Sequence, residues 1–212
     1  DAARKRQFLS QYTLDEQVQL IGLARSLLEQ VSGTRCRSFR AGSFACNQDT
    51  YRALAALGIG VDSSLNACIP VSGVDLRGRA DFDAPSVIEG VESRPVGLFT
   101  DGLGKLRPTQ VSGASIGEFL QVLEQAHGLG VPEMVIVSHN FEMLRPDSSA
   151  PDPIVVRRYE ELCRYLGRHR DTMPTTDFLA LPARVTRERP RAGWPGTLRR
   201  LGEQAWRRVR DR

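Results

Sequence analysis

The chain is poor in the residues that most directly announce chemistry. Only 3 of its 212 residues are histidine, and His127, His139 and His169 sit on separate predicted elements. The 4 cysteines, Cys36, Cys46, Cys68 and Cys163, form no C-x-x-C pair and have no histidine at zinc-finger spacing. A finger or ribbon is thereby excluded, and free thiols, buried or half-buried, are expected, with Cys46 and Cys68 nearest the strand ends that carry the polar residues. No Asp-Asp pair occurs anywhere. No apolar run is long enough to span a membrane, and none follows the basic start Arg4-Lys5-Arg6 as a signal peptide would require. The compartment is left unknown, with the cytoplasm favoured, and a chain that starts without methionine is expected to be part of something longer. Two short glycine sequences, Gly58-Ile59-Gly60 and Gly102-Leu103-Gly104, stop short of G-x-G-x-x-G, which argues against a dinucleotide-binding phosphate cradle. Internal repeats are absent.

Lysine is almost missing too, with 2 Lys against 27 Arg, an imbalance that reflects genome composition as much as function. The charge is uneven. Residues 183–212 hold ten arginines against Glu188, Glu203 and Asp211, a local +7 within a chain total of +4, which leaves the rest at −3. A basic tail on a slightly acidic body argues against a nucleic-acid-binding domain, where positive charge would spread over the folded face.

What is present is an alternation of helix and strand signals. Thr13-Leu14-Asp15-Glu16 predicts a capping box. Leu14, Val18, Ile21, Ala24, Leu28 and Val31 then recur at helical spacing, all on the expected inward face, until Gly33 stops the run. Residues 34–39 alternate as a strand that ends at Arg40, and residues 47–57 predict a helix capped by Asn47 and ended by Gly58. Strand, helix and strand within about 30 residues make a βαβ rhythm. Residues 66–85 lose all period and predict a long loop over the mouth of the sheet. Strands are expected over 87–92 and 96–99, a helix over 115–127, and a strand over 134–138 that delivers His139. A helix over 154–168 should turn Val155, Tyr159, Leu162 and Leu166 inward. A short strand over 172–176 and the segment Phe178-Leu179-Ala180-Leu181 would close the sheet. Pro182, Pro190 and Pro195 mark a linker, and the last helix carries Leu198, Leu201, Ala205 and Val209 on one side. Residues 1–182 are thus expected to form an α/β barrel-like body, and residues 183–212 a basic linker and amphipathic helix. The apolar side of that peripheral helix has two candidate partners, the body itself or, through weak contact, an anionic membrane surface.

Three predicted strand ends deliver polar residues: Phe39-Arg40-Ala41-Gly42-Ser43-Phe44, Val61-Asp62-Ser63-Ser64 and Ile136-Val137-Ser138-His139. Side chains at the C-terminal ends of parallel strands face the mouth of a barrel. In order, these three segments resemble the third, fourth and fifth motifs of the polysaccharide deacetylase family, the NodB-homology or carbohydrate esterase family 4 proteins. The resemblance runs from about Thr13 to Leu181. The family's first motif, a Thr-Phe-Asp-Asp-Gly run, and its second, a His-x-x-x-His metal pair, do not occur here.

The resemblance implies the C-terminal part of an incomplete (β/α)7-type barrel and a hydrolase that removes acetyl groups from a carbohydrate substrate with metal-activated water. It makes His139 the general acid, Asp62 the carboxylate that orients its imidazole, and Arg40 the holder of a catalytic base. Ser43 and Phe44 would lie at the substrate, with backbone N–H groups facing the oxyanion. A catalytic metal needs about three protein ligands, which the scattered histidines do not supply. No metal ligand is therefore assigned in this chain, and a divalent, zinc-like metal is expected in the full-length protein, held by upstream residues. The alternative is a catalytically inactive carbohydrate-binding pseudoenzyme.

Overall fold

Local chemistry sets the helix ends in the computed structural model, which describes residues 5–146, 149–178 and 188–211. Thr13 caps α1 (Leu14–Ser32) by accepting from the Glu16 N–H while the Glu16 carboxylate accepts from the Thr13 N–H. Gly33 ends that helix at φ 65°, where a side chain would be strained. Asn47 caps α2 (Gln48–Ala56) in the same way. The chain divides into two compact units, Asp1–Val96 and Gly97–Arg212.

In the first unit, β1 (Ser38–Phe39) and β2 (Val61–Asp62) flank α2 and pair in parallel. β3 (Ser86–Ile88) and β4 (Val91–Ser93) complete a sheet of order β1-β2-β4-β3, with β4 parallel to β2 and β3 antiparallel to β4. The single strand expected over 87–92 is instead a tight hairpin. Glu89 at φ 49° and Gly90 at φ 79° make a two-residue turn of left-handed backbone, whose twist matches that of the flanking strands.

Ile21, Tyr51, Leu54, Ile59, Leu65, Leu76 and Val91 fill the core of this unit, with Leu14 and Val18 packed against it. Buried Gln17 accepts from Thr50 Oγ1 at 2.7 Å, tying α1 to α2. The expected inward face of α1 holds only in its first half. Leu28 and Val31 are exposed, as are Leu20, Leu23 and Leu27. The reason is length: α2 ends at Leu57, whose carbonyl accepts from Arg25, and the later turns of the longer α1 run past it.

In the second unit, β5 (Leu98–Thr100) and β6 (Leu106–Pro108) pair antiparallel. The extended segment 134–138 joins them through one parallel bridge, Val137 to Gln110, rather than a full ladder. Three helices pack here: α3 (Ile116–Gly128), α4 (Pro153–Arg168) and α5 (Trp194–Arg210). The core holds Phe99, Ile116, Phe119, Val122, Leu162 and Tyr165. Tyr159, expected inward on α4, is exposed, while Val155, Arg158, Leu162 and Tyr165 are buried. No strand forms over 172–176, because the Thr172 and Met173 N–H groups turn back to the His169 carbonyl. Of the closing segment, Leu179, Ala180 and Leu181 lie outside the described residues, as does the linker's Pro182.

The final helix departs most from expectation. α5 is built into the second unit by arginines, and its apolar side faces out. Arg200, 1% exposed, reaches Asp101 at 2.7 Å and Glu118 at 3.0 Å, both carboxylates being fully buried. Arg207 and Arg210 both bond Asp152, and Glu203 pairs with buried Arg158 at 2.6 Å. Leu198, Leu201, Trp206 and Val209 are exposed. The chain is α/β, as the alternating signals predict; its two sheets are small, and among the described residues neither closes on itself. No described helix is long and apolar enough to cross a membrane.

Candidate functional site

The first unit gathers four of the five sequence-predicted residues at one end of its parallel strands. Register does this: Phe39 pairs with Asp62 across β1 and β2, and Asp62 pairs with Ser93 across β2 and β4. Arg40 therefore leaves the sheet beside Asp62, and the next residues turn over the strand ends in the short helical turn Gly42–Phe44.

That turn is unusual in its backbone. Ser43 at φ 54° and Phe44 at φ 58° are consecutive non-glycine residues in left-handed conformation, each costing about 1–2 kcal/mol. Phe44 is buried. Its N–H is satisfied by the Ala41 carbonyl, but the exposed Gly42 and Ser43 have no protein acceptor for theirs among the described residues. Two outward backbone donors are left.

Asp62 is completely buried and held by its own unit. Its Oδ2 accepts from Tyr51 Oη at 2.7 Å and from the Ser64 N–H at 2.9 Å, and its Oδ1 accepts from Ser64 Oγ at 2.6 Å. Burial pushes the carboxyl pKa up; the Ser64 and Tyr51 hydrogen bonds and the Arg40 charge pull against it. Tyr51, itself buried and 3.0 Å from Ser93 Oγ, is pushed well up by burial and by the Asp62 charge. Arg40 is exposed as a residue, with its guanidinium turned back onto Ser63. Its Nε bonds the Ser63 carbonyl at 2.9 Å and its Nη2 the Ser63 hydroxyl at 2.8 Å, and among the described residues Nη1 has no hydrogen-bond partner. Desolvation lowers its pKa while Asp62 opposes that.

Ser64 links the two strand ends, since its hydroxyl donates to Asp62 and accepts from the Ala41 N–H at 2.8 Å. Behind them lies Cys46, with no exposed surface and a thiol pushed up to about 12 by burial first and the Asp62 charge second. A reactive role for Cys46 is thus ruled out by its environment. Cys163, expected to be at least half-buried, is exposed on α4, because it lies opposite the inward row of that helix.

His139 belongs to the second unit. It follows the extended segment 134–138 and opens a short helical turn, Asn140–Met143. Its ring stacks on Phe141 with centroids 4.9 Å apart. Nδ1 stands 3.4 Å from Glu142 Oε1, an ion-pair distance without hydrogen-bond geometry. Glu142 is itself positioned: Oε2 accepts from the His139 N–H at 3.3 Å, and Oε1 accepts from Gln110 Nε2. Glu142 is the carboxylate that sequence reasoning missed, although the spacing His139-x-x-Glu142 is a capping-box signature and was available as a signal. Tyr51, Ser64 and Ser93 were missed as well, because nothing local marks a tyrosine on a helix as a partner of a strand-end aspartate. A cleft of about 380 Å³ in the second unit is lined by Thr100, Gln125, Leu129, Glu188, Arg189 and Arg191, and includes none of the predicted residues.

Comparison of the chain with family models, with curated proteins and with solved structures gives no match in any of the three.

Proposed function

We propose that this chain is the C-terminal part of a carbohydrate deacetylase of barrel type, a hydrolase that removes acetyl groups from an oligo- or polysaccharide and whose metal is held by residues outside the chain. The observation that carries the reading is the pairing of Phe39 with Asp62, which sets Arg40 and Asp62 at adjacent ends of parallel strands, where barrel chemistry sits. Three features support it further. The free N–H groups of Gly42 and Ser43 are suited to a developing oxyanion. Nη1 of Arg40 remains available to hold a catalytic carboxylate. His139, 39% exposed and beside Glu142, is suited to protonate a departing amine or alkoxide.

Among the described residues no three His, Cys, Asp or Glu side chains converge to hold a metal ion. The roles proposed for this chain are binding, orientation and proton transfer. In this scheme Asp62 fixes the strand-end serines of the first unit, and in the second unit Glu142 is the carboxylate placed to orient the His139 imidazole.

The test is acetate release from acetylated chito-oligosaccharides and acylated polysaccharides, with this chain and the complete reading frame assayed side by side, with and without chelator. Chelator-sensitive release by the complete protein, reduced at least about 100-fold by His139→Ala, supports the proposal. Saccharide binding without acetate release would replace it with a carbohydrate-binding pseudoenzyme.

A further inference from the structure

The outward side of α5 is apolar and, among the described residues, unpartnered. At 100° per residue, Leu201, Trp194, Ala205, Leu198, Val209 and Trp206 fill an unbroken sector about 140° wide. Their exposures decide that no described residue covers them: 39% for Leu201, 62% for Trp194, 49% for Leu198, 74% for Val209 and 51% for Trp206.

Arginine borders the sector on both sides, Arg208 on one and Arg199 on the other. Arg208 makes no ion pair among the described residues, and Arg199 shares Glu203 with Arg157 and Arg158, a group of three arginines that Glu203 and Glu161 leave with one net positive charge. The inward arginines are consumed elsewhere, Arg200 by Asp101 and Glu118, Arg207 and Arg210 by Asp152. What faces out is therefore apolar surface with cationic margins.

We propose that this face lies on an anionic membrane surface, with α5 parallel to the bilayer plane, its tryptophans and aliphatic side chains in the headgroup boundary and its marginal arginines against acidic lipid headgroups. Charge selects this occupant over a second copy of the chain. Both borders are arginine, so any pairing of two such sectors sets arginine against arginine. The helix is also too short and too charged to span. The inference stands apart from the proposed hydrolase activity.

Both tryptophans of the chain lie on α5, so intrinsic fluorescence reads this helix alone. The full chain is titrated with vesicles of zwitterionic lipid, with and without about one-third anionic lipid. A blue shift and co-sedimentation with the anionic vesicles are expected, weakened by salt. The double variant Leu198→Ser/Val209→Ser should bind at least about tenfold more weakly and Arg208→Glu several-fold more weakly, each with an unchanged urea midpoint because all three positions are exposed. No binding to anionic vesicles, equal binding to both vesicle types, or undiminished binding by the double variant overturns the proposal. So does concentration-dependent self-association through this face in place of lipid binding.

Discussion

Replacing Arg200 by alanine should be the most damaging single change in the second unit. The guanidinium is 1% exposed and donates to two carboxylates that have no exposed surface, Asp101 at 2.7 Å and Glu118 at 3.0 Å. Asp101 keeps other donors, from Arg107 and from the Leu103 and Lys105 N–H groups, and Glu118 keeps Ser115 and Thr197. Neither carboxylate is stripped bare, and Asp101 keeps the charge of Arg107 at 3.0 Å, but buried Glu118 loses the one arginine paired with it among the described residues. Removing one member of a buried ion pair costs about 3–5 kcal/mol, a large share of the roughly 5–15 kcal/mol that holds a domain together. With a urea slope of about 1–3 kcal/mol per molar, the midpoint should fall by roughly 2 M. Trp194 and Trp206 report it, since both are on the helix that Arg200 anchors. Arg199→Ala, one residue away but exposed, is the control and should cost about 0.5 kcal/mol or less. Adding Glu118→Gln to the Arg200→Ala variant should recover part of the loss by removing one uncompensated charge. A midpoint shift below about 0.5 M for Arg200→Ala, or one no larger than that of Arg199→Ala, would refute the view that this buried network seats α5.

Acid should unfold the second unit first. Burial raises the carboxyls of Asp101, Asp152 and Glu203, but hydrogen bonds and arginine charges together outweigh it and hold all three below their ordinary values. Their contribution is present above the unfolded carboxylate range of about 4 and is lost as pH falls through the lower folded values. Asp62 works in the opposite sense: its pKa is raised on folding, so acid relieves the cost of its burial, and a pH titration of tryptophan fluorescence, which reports only α5, should show the second unit's transition. Tyr51→Phe should cost the first unit about 1–3 kcal/mol, because buried Asp62 loses its 2.7 Å donor; a change under about 0.5 kcal/mol in chemical unfolding would contradict this. Among the thiols, exposed Cys163 should react fastest with an aromatic disulfide reagent and Cys46 only on unfolding, and rapid labelling of Cys46 in the native chain would count against its burial.

Where one turn of chain contains the whole cause, the amino-acid sequence alone determined the outcome. Thr13 with Glu16, Asn47 with Thr50 and Ser115 with Glu118 cap their helices through bonds that span three residues, and Gly33 ends α1 by its own freedom at positive φ. The strand ends at Phe39 and Asp62 were legible for the same reason, as short β-prone runs cut off by small polar residues. The Glu89-Gly90 turn inside an apparent strand was also local, but alternation on both sides concealed it. Tertiary structure decided where a helix departs from the face its apolar spacing predicts, in the second half of α1 and in α5. The apolar stripe of α5 reads as a core face at any helical spacing, but Asp101, Glu118 and Asp152 arrive from 55 to 99 residues away and draw Arg200, Arg207 and Arg210 inward, turning that stripe out. Tyr51 reaches Asp62 and Ser93 only because α2 packs on the neighbouring strands β2 and β4, and Glu142 comes beside His139 only because the chain turns helical there. Burying a charge is costly unless a partner is present, and whether the partner is present depends on the fold, not on the neighbours in sequence.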